Sequence, residues 1–168
     1  MRVGAGSHRN RRRVAAAAVF AALIHISSAG NVGAASCGAD RIAFSTSEDD
    51  VVFSAEVVDT EEGRARGLMF RETMTRDHGM LFVYPTARQV AFWMKNTPLP
   101  LDIIFLNRQG VVCSVAADTT PFSLDHIQSN CAAQTVFEVN AGVAAATGVA
   151  VGSVALHPAI AAPLRPCE

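Results

Sequence analysis

The side chains best able to do chemistry lie in one short part of the chain. Trp93 is the only tryptophan and Lys95 the only lysine, Asn96 follows directly, and Asp102 comes after a proline-rich turn. Lysine offers a compact cation, asparagine a donor and an acceptor, aspartate a carboxylate and tryptophan a flat apolar face. Such a set could clasp a sugar or a carboxylate-bearing fragment. We therefore predict a ligand-binding groove edged by Arg66, Trp93, Lys95, Asn96 and Asp102.

Two other interpretations of this segment are open. Trp93 and Lys95 lie two positions apart, so in a strand they would share one face. In the first alternative, Lys95 pairs with Asp102 and fixes the loop containing Pro98 and Pro100, while Trp93 fills the core. In the second, burial and Asp102 tune the pKa of Lys95, and the two residues act as catalytic groups.

The methionines suggest a different chemistry, the binding of copper. Every methionine except the initiator lies between positions 69 and 94, with His78 among them. Thioether and imidazole groups suit Cu(I). Met69, Met80 and Met94, however, adjoin leucine or aromatic residues, where methionine usually fills gaps in a core. Core packing is therefore the favoured interpretation, and we predict no metal and no cofactor.

Four cysteines indicate disulfide bonds if the chain enters an oxidising compartment. Their spacing is too wide for a C-x-x-C zinc or redox motif. Of the three possible pairings we favour Cys113 with Cys131, which leaves Cys37 with Cys167 to tie the ends of the domain. Free buried thiols remain the alternative.

Other enzyme classes have little support in the sequence. A cysteine nucleophile working with His126 or His157 would need a free thiol. The G-x-S-x-G motif of serine hydrolases and the H-E-x-x-H motif of metalloproteases do not occur. The glycines are dispersed, without a loop that could cradle a phosphate. The sequence therefore does not assign a reaction.

The first 36 residues are predicted to be a secretory signal peptide. Arginines at positions 2, 9 and 11–13 precede an apolar run at 14–26, and small residues follow. The run of about 13 residues is shorter than the ~20 that span a bilayer as a helix. A twin-arginine signal at 11–13 and a lipobox ending at Cys37 are alternatives. We expect a periplasmic or secreted protein with no stable membrane span after processing.

The remaining residues, 37–168, are predicted to form a single domain, since ~130 residues suffice to bury a core. Removing residues 1–36 removes five arginines and no acid, which leaves nine basic against fifteen acidic residues, a net charge of −6. An acidic surface repels phosphate backbones, so nucleic-acid binding is disfavoured.

Short runs rich in valine, isoleucine and phenylalanine predict a mainly β domain. Asn107–Gly110 has the composition of a hairpin turn, Pro85 is expected to end the third strand, and the fourth is expected to pair back on the third. The predicted fold is an antiparallel β-sandwich or a jelly-roll-like barrel with two short helices. Strands are predicted at 41–45, 51–58, 79–84, 89–94, 101–106, 111–117, 134–140 and 152–157, helices at 61–66 and 141–147, and a polar loop at 118–130.

Four motifs and a later segment resemble domain-of-unknown-function family 192, an uncharacterised bacterial and archaeal family. They are R-x-R-G-L-M-F-R from Arg64, D-H-G-M-L-F from Asp77, F-W-M-K-N-T from Phe92, P-L-D-I-I-F from Pro100 and E-V-N-A-G from Glu138. The resemblance covers roughly residues 51 to 158. It implies a β-sandwich with small helices, frequently exported, and no established activity.

This sequence departs from the family pattern in two places. Gly63 stands where a helix former is usual, which weakens the first helix by roughly 1 kcal/mol. The segment 129–131 replaces a glycine-rich turn.

Together these observations predict an exported envelope protein of unknown activity. We expect a non-enzymatic binding or accessory module for a small molecule or an envelope glycan. One alternative is an enzyme that acts on an envelope polymer through Lys95 and Asp102; a second is a Cu(I) carrier.

Overall fold

Nine strands and two short helices make up the described part of the domain. The strands are β1 (Arg41–Ser45), β2 (Asp50–Val58), β3 (His78–Arg88), β4 (Ala91–Phe92), β5 (Leu101–Leu106), β6 (Val112–Ala116), β7 (Ile127–Gln128), β8 (Ala133–Asn140) and β9 (Val154–Leu156). The helices are α1 (Glu61–Arg66) and α2 (Val143–Ala146). Neither of these two helices of the described chain is long and apolar enough to cross a membrane.

This structure is a computed structural model that describes Met1, Gly4, residues 37–165 and Cys167. The chain divides into two units, Met1–Val32 and Gly33–Glu168. The predicted signal peptide and its boundary at residue 36 lie outside the described residues, apart from Met1 and Gly4.

Seven of the strands form one curled sheet in the order β6-β5-β8-β3-β2-β1-β9, while β4 and β7 form a separate pair. Between the two edge strands, Val111 bridges Val154, and the Val112 amide donates to the Ser153 carbonyl at 2.9 Å. These contacts bring the edges of the sheet together, as in a barrel. All its ladders are antiparallel except β2 with β3, which is parallel. The prediction of a mainly β, sandwich-like or barrel-like fold with two short helices is confirmed.

The sheet buries apolar side chains on both of its faces. Strand β8 illustrates this, because Phe137 and Val139 belong to one hydrophobic cluster while Val136 belongs to the other, as alternation along a strand requires. The first cluster also contains Ile42, Phe44, Phe53, Leu81, Ile104, Leu106 and Val112. The second contains Leu68, Met80, Phe82, Val90, Met94, Leu101, Ile103 and Phe105.

The region around the fourth predicted strand differs from expectation. Strand β3 continues through Pro85, at a place where its ladder with β8 shifts register between Val83 and Arg88. Because the ladder is already interrupted there, the missing N–H of the proline costs little. Strand β4 pairs with β7 instead of with β3. The predicted polar loop at 118–130 therefore contributes a short strand.

Both favoured disulfides are present. Cys113 is bonded to Cys131 and Cys37 to Cys167, with Cα atoms 6.3 Å and 5.6 Å apart respectively. With all four thiols bridged, none is left to act as a nucleophile with His126 or His157. The first disulfide joins β6 to the segment before β8, and both of its cysteines pack against the second hydrophobic cluster.

Candidate ligand-binding site

A recess opens over the second hydrophobic cluster, between α1, the end of β4 and β8. Its volume is about 40 Å³, which is room for one small polar group and much less than the several hundred Å³ of sites that enclose a whole small molecule. Its lining combines aromatic, thioether and basic side chains with one acid. The lining residues are Arg64, Ala65, Arg66, Gly67, Leu68, Met69, Phe82, Phe92, Trp93, Met94, Thr97, Leu101 and Glu138.

Helix α1 supplies the basic side chains on one side of the recess. Thr60 caps the helix by accepting a hydrogen bond from the Gly63 amide at 3.1 Å, and two glutamates occupy the first turn, where the helix dipole favours them. The helix ends at Gly67, whose φ is +48°. A Cβ at Gly67 would lie 3.2 Å from the Phe82 ring, so glycine also lets the chain approach the aromatic wall. Arg64 and Arg66, in the last turn, reach the recess from this side.

Glu138 provides the only acid among the described residues that line the recess. It lies on β8, with Met80 of β3 and Ile103 of β5 as its neighbours across the sheet. The residue is 5% exposed. Burial raises the pKa of its carboxyl group to about 8, and within the described chain no hydrogen bond or ion pair offsets this effect. A carboxyl group in such surroundings is neutral at pH 7.

Trp93 and Lys95 lie on the same surface, as predicted, but for a different reason. Residues 94–97 form a turn, in which the Thr97 amide donates to the Met94 carbonyl at 3.0 Å, so Lys95 is not part of a strand. The Lys95 ammonium lies 5.0 Å from the centre of the Trp93 ring. Trp93 is 42% exposed, and its ring centre is 6.5 Å from that of His126. Trp93 is therefore a wall of the recess and does not fill the core.

Asn96 contributes mainly to the shape of this turn. Its φ is +54°, a conformation that asparagine adopts more readily than most residues. Its carbonyl accepts a hydrogen bond from the Phe70 amide at 2.7 Å, and its side-chain nitrogen is 4.0 Å from the Met69 sulfur. Asn96 thus joins the turn to the segment after α1, beside the recess.

The structure does not bring Asp102 to the recess. Asp102 has no exposed surface, and its two oxygens accept hydrogen bonds from the Asp118 and Ala144 amides, each at 2.9 Å. The Ala144 amide is in the first turn of α2, whose N-cap residue Gly142 has no side chain to satisfy it. Asp102 therefore holds α2 and the loop after β6 in place. The two ion pairs of the described residues both involve Glu56, so the alternative in which Lys95 pairs with Asp102 is not observed.

The methionine sulfurs are dispersed rather than gathered at one exposed point. Met80 and Met94 are buried in the second cluster, and Met74 packs against it. His78 lies 2.7 Å from a Glu56 oxygen; the hydrogen bond from Arg71 is the main cause that lowers the pKa of Glu56. Among the described residues, no three His, Cys, Asp or Glu side chains converge as metal ligands.

An open groove continues from the recess. The two share Arg64, Ala65, Phe92 and Trp93, and the groove has a volume of about 550 Å³. In the groove, the guanidinium carbons of Arg64 and Arg88 lie 5.1 Å and 5.4 Å from the centre of the Tyr84 ring. Recess and groove together form one surface rich in aromatic and basic side chains.

Sequence reasoning identified Arg66 and Trp93, which line the recess, but gave Glu138 no role beyond its place in the E-V-N-A-G segment. The available signal was the position of Glu138 between Phe137 and Val139, in a strand buried on both faces. A charged residue in such a strand needs a partner or a function.

The model of a known family matches residues 43–156. That family is DUF192, "Uncharacterized ACR". The chain belongs to it. No curated protein matches the chain.

Two solved structures resemble this DUF192 domain. One, from Sinorhizobium meliloti 1021 and described as a proposed transcription regulator, is 34% identical with a TM-score of 0.67, over 68% of this chain and 90% of that one. The other, a protein of unknown function from Novosphingobium aromaticivorans DSM 12444, is 31% identical with a TM-score of 0.67, over 68% of this chain and 82% of that one.

Proposed function

We propose that this protein is an exported, non-enzymatic binding module of the cell envelope, which holds a small molecule or an envelope glycan in the recess and the adjoining groove. The observation that carries the proposal is the wall shared by the two, where the half-exposed Trp93 stands with the Lys95 ammonium over its ring. A flat apolar face beside hydrogen-bond donors is the arrangement that packs against a sugar ring.

The distribution of charge supports the same proposal. The domain after residue 36 carries a net charge of −6, yet Arg64, Arg66 and Arg88 line the recess or the groove, against the single acid Glu61 among the described residues of the groove, and the Lys95 ammonium lies over Trp93 beside them. Of these four cations, Arg64 donates to the Asp59 and Val83 carbonyls. Within the described residues the other three form no ion pair. A local positive surface on an acidic domain favours a ligand that carries negative charge.

Binding is a better proposal than catalysis through Lys95 and Asp102. The Asp102 carboxylate is occupied by two backbone amides, and the Lys95 ammonium lies over Trp93. The two groups therefore have no shared point at which a substrate could react. A Cu(I) carrier is not favoured either, because two of the four sulfurs concerned are in the core.

Export forms part of the proposal, since two disulfides suit an oxidising compartment. A fusion of residues 1–40 to a reporter should be exported and clipped before Asp40. A full-length cytoplasmic product would contradict export. The acidic domain disfavours contact with nucleic acid, so transcription regulation is not the function proposed for this protein.

The binding proposal can be tested through the only tryptophan. A ligand that packs on Trp93 changes its fluorescence, so the mature protein is titrated with glucuronate, glucose and the disaccharide of N-acetylglucosamine and N-acetylmuramic acid. We expect a saturable change in emission with at least one of them. In calorimetry, Trp93→Ala should abolish this binding and Lys95→Ala should weaken it.

Two substitutions serve as matched controls. Val151→Ala removes an exposed apolar side chain, and Arg108→Ala removes an exposed cation; neither residue lines the recess or the groove. Both should leave the affinity unchanged. No change in Trp93 emission with any of the probes, or unchanged binding by Trp93→Ala, would contradict the proposal.

A further inference from the structure

Glu138 lines the recess together with Arg64 and Arg66. Its neighbours across the sheet, Met80 and Ile103, are apolar and buried, and the remaining walls include Phe82, Phe92 and Leu101. Within the described residues the Glu138 carboxyl group has no hydrogen-bond or ion-pair partner, even though the two arginines line the same recess. Its oxygen atoms are therefore available to a ligand.

A buried carboxyl group without a partner is costly to a fold. Leaving such a group unsatisfied destabilises the folded state by the lost hydration of the group. Asp102, on the adjacent strand, avoids this cost with two backbone amides, so the fold is able to satisfy a buried acid here. Glu138 has no such donors, and this difference points to a role for Glu138 other than stabilising the domain.

The groups around the recess determine the protonation state of Glu138. On the α1 side the charged groups are Arg64 and Arg66. On β3 the pKa of Tyr84 is raised mainly by burial and, to a smaller extent, by the charge of Glu138. The side chains of β5 that face this way are apolar. Burial raises the pKa of Glu138 to about 8 and holds it in its neutral form.

We propose that Glu138 determines the specificity of the site: as a neutral acid it donates a hydrogen bond to a carboxylate of the ligand. This inference rests on the proposed function and names the class of ligand, an acidic sugar or another small organic acid. The ligand carboxylate enters the recess, accepts the proton of Glu138 in a hydrogen bond, and has its charge compensated by Arg66. No covalent bond forms or breaks.

A carboxylate fits this site better than an amine does. A ligand ammonium would require Glu138 to ionise and would pass Arg64 and Arg66 on its way in. A carboxylate is attracted by the same two cations. Hydrogen bonds to an ionised acceptor are also the stronger ones. The affinity for the two kinds of ligand should depend on pH in opposite ways. A carboxylate needs Glu138 to be neutral, whereas an ammonium group needs it to be ionised.

The test is calorimetry of the mature protein with glucuronate, glucose and ethylammonium at pH 6 and pH 9. Glucuronate should bind at least tenfold more tightly than glucose at pH 6. Its affinity should fall about tenfold at pH 9, since only the protonated fraction of Glu138 binds it. Glucose has no carboxylate, so any change in its affinity between the two pH values reports changes of the site other than the hydrogen bond to Glu138.

Two variants isolate the contribution of Glu138. Glu138→Gln keeps a donor that does not titrate, so it should bind glucuronate with the same affinity at both pH values. Glu138→Met keeps the volume without a donor, so it should lose the preference for glucuronate over glucose. Circular dichroism checks that both variants are folded.

The remaining outcomes distinguish the two proposals. Equal binding of glucuronate and glucose at both pH values, abolished by Trp93→Ala, would overturn this inference and leave the binding module in place. Ethylammonium binding that strengthens from pH 6 to pH 9 would show that the recess takes an amine against ionised Glu138. Absence of binding by either sugar, with Trp93 emission unchanged, would remove the proposed glycan site and this inference with it.

Discussion

Two buried carboxyl groups on adjacent strands have opposite surroundings. Asp102 on β5 has Val139 as its neighbour on β8, one position beyond Glu138. The oxygens of Asp102 accept two backbone hydrogen bonds and anchor α2. Glu138 faces the other side of the sheet, where it lines a recess and has no hydrogen-bond partner among the described residues.

The comparison shows that burial alone does not mark a functional acid. Both residues are almost completely inaccessible, and both would attract attention as charged residues in an apolar strand. What separates them is the presence of hydrogen-bond donors. A buried acid with donors has a structural role, whereas a buried acid without donors at the floor of a recess is available for a ligand.

Weakening the two hydrogen bonds that Asp102 accepts should have the largest effect on stability. Asp102→Asn replaces a charged acceptor of two amide bonds, and hydrogen bonds to charged groups contribute about 1.5–3 kcal/mol each. We expect the free energy of unfolding in urea to fall by about 4 kcal/mol. Asp40→Asn, at an exposed position, is the matched control and should change it by less than about 0.5 kcal/mol. A loss below about 1 kcal/mol for Asp102→Asn would contradict the anchoring role.

Glu138→Gln, in contrast, should raise the free energy of unfolding relative to the wild type, by an amount that depends on pH. Below pH 4.5 the acid is protonated in both the folded and the unfolded states, and between 4.5 and about 8 the folded state alone keeps the proton. The wild type therefore loses stability as pH rises over this window, by about 1.4 kcal/mol per pH unit at most. Allowing for relaxation of the site, we expect a loss of about 2 kcal/mol between pH 5 and pH 8 that Glu138→Gln lacks.

Urea unfolding of both proteins at the two pH values measures this difference. Other titrating groups cancel in the comparison, including His157, whose pKa is lowered by burial. Glu62→Gln, at an exposed position, should follow the wild type at both values. Parallel pH profiles for the wild type and Glu138→Gln would show that Glu138 is ionised in the folded protein.

The smallest effect on stability is expected at Lys95. Its ammonium is exposed and lies over Trp93, an arrangement worth about 0.5–1 kcal/mol at the surface. Lys95→Ala should therefore lower the free energy of unfolding by less than about 1 kcal/mol, while it weakens ligand binding. A loss as large as that of Asp102→Asn would mean that Lys95 belongs to the architecture rather than to a binding surface.

Much of the fold was predictable because its signals are local. The hairpin is one example: Asn107 accepts hydrogen bonds from the Gln109 and Val111 amides, and Gly110 adopts φ +81°. The helix cap at Thr60 is another. The pairing of Cys113 with Cys131 followed from their spacing together with the position of the other two cysteines near the ends of the domain.

The roles of the two acids depend on contacts that are distant in sequence. The partners of Asp102 are 16 and 42 residues away. Neither its burial nor its hydrogen-bond donors could therefore be predicted from the residues next to it in the sequence. Glu138 meets the recess only because β8 lies between β5 and β3 in the sheet. The error at β4 has the same origin, since its partner β7 lies in a segment that looked like a polar loop.

The most direct test is the protonation state of Glu138 in the free protein. Carbon-13 labelling of the seven glutamate carboxyl groups allows each to be titrated by NMR, and Glu138→Gln identifies the signal in question. One carboxyl group should titrate with a pKa near 8, and this signal should be missing from the variant. If the Glu138 signal instead titrates near the ordinary glutamate value of about 4.3, the carboxyl group is ionised at neutral pH, and the recess does not contain the neutral acid on which the specificity rests.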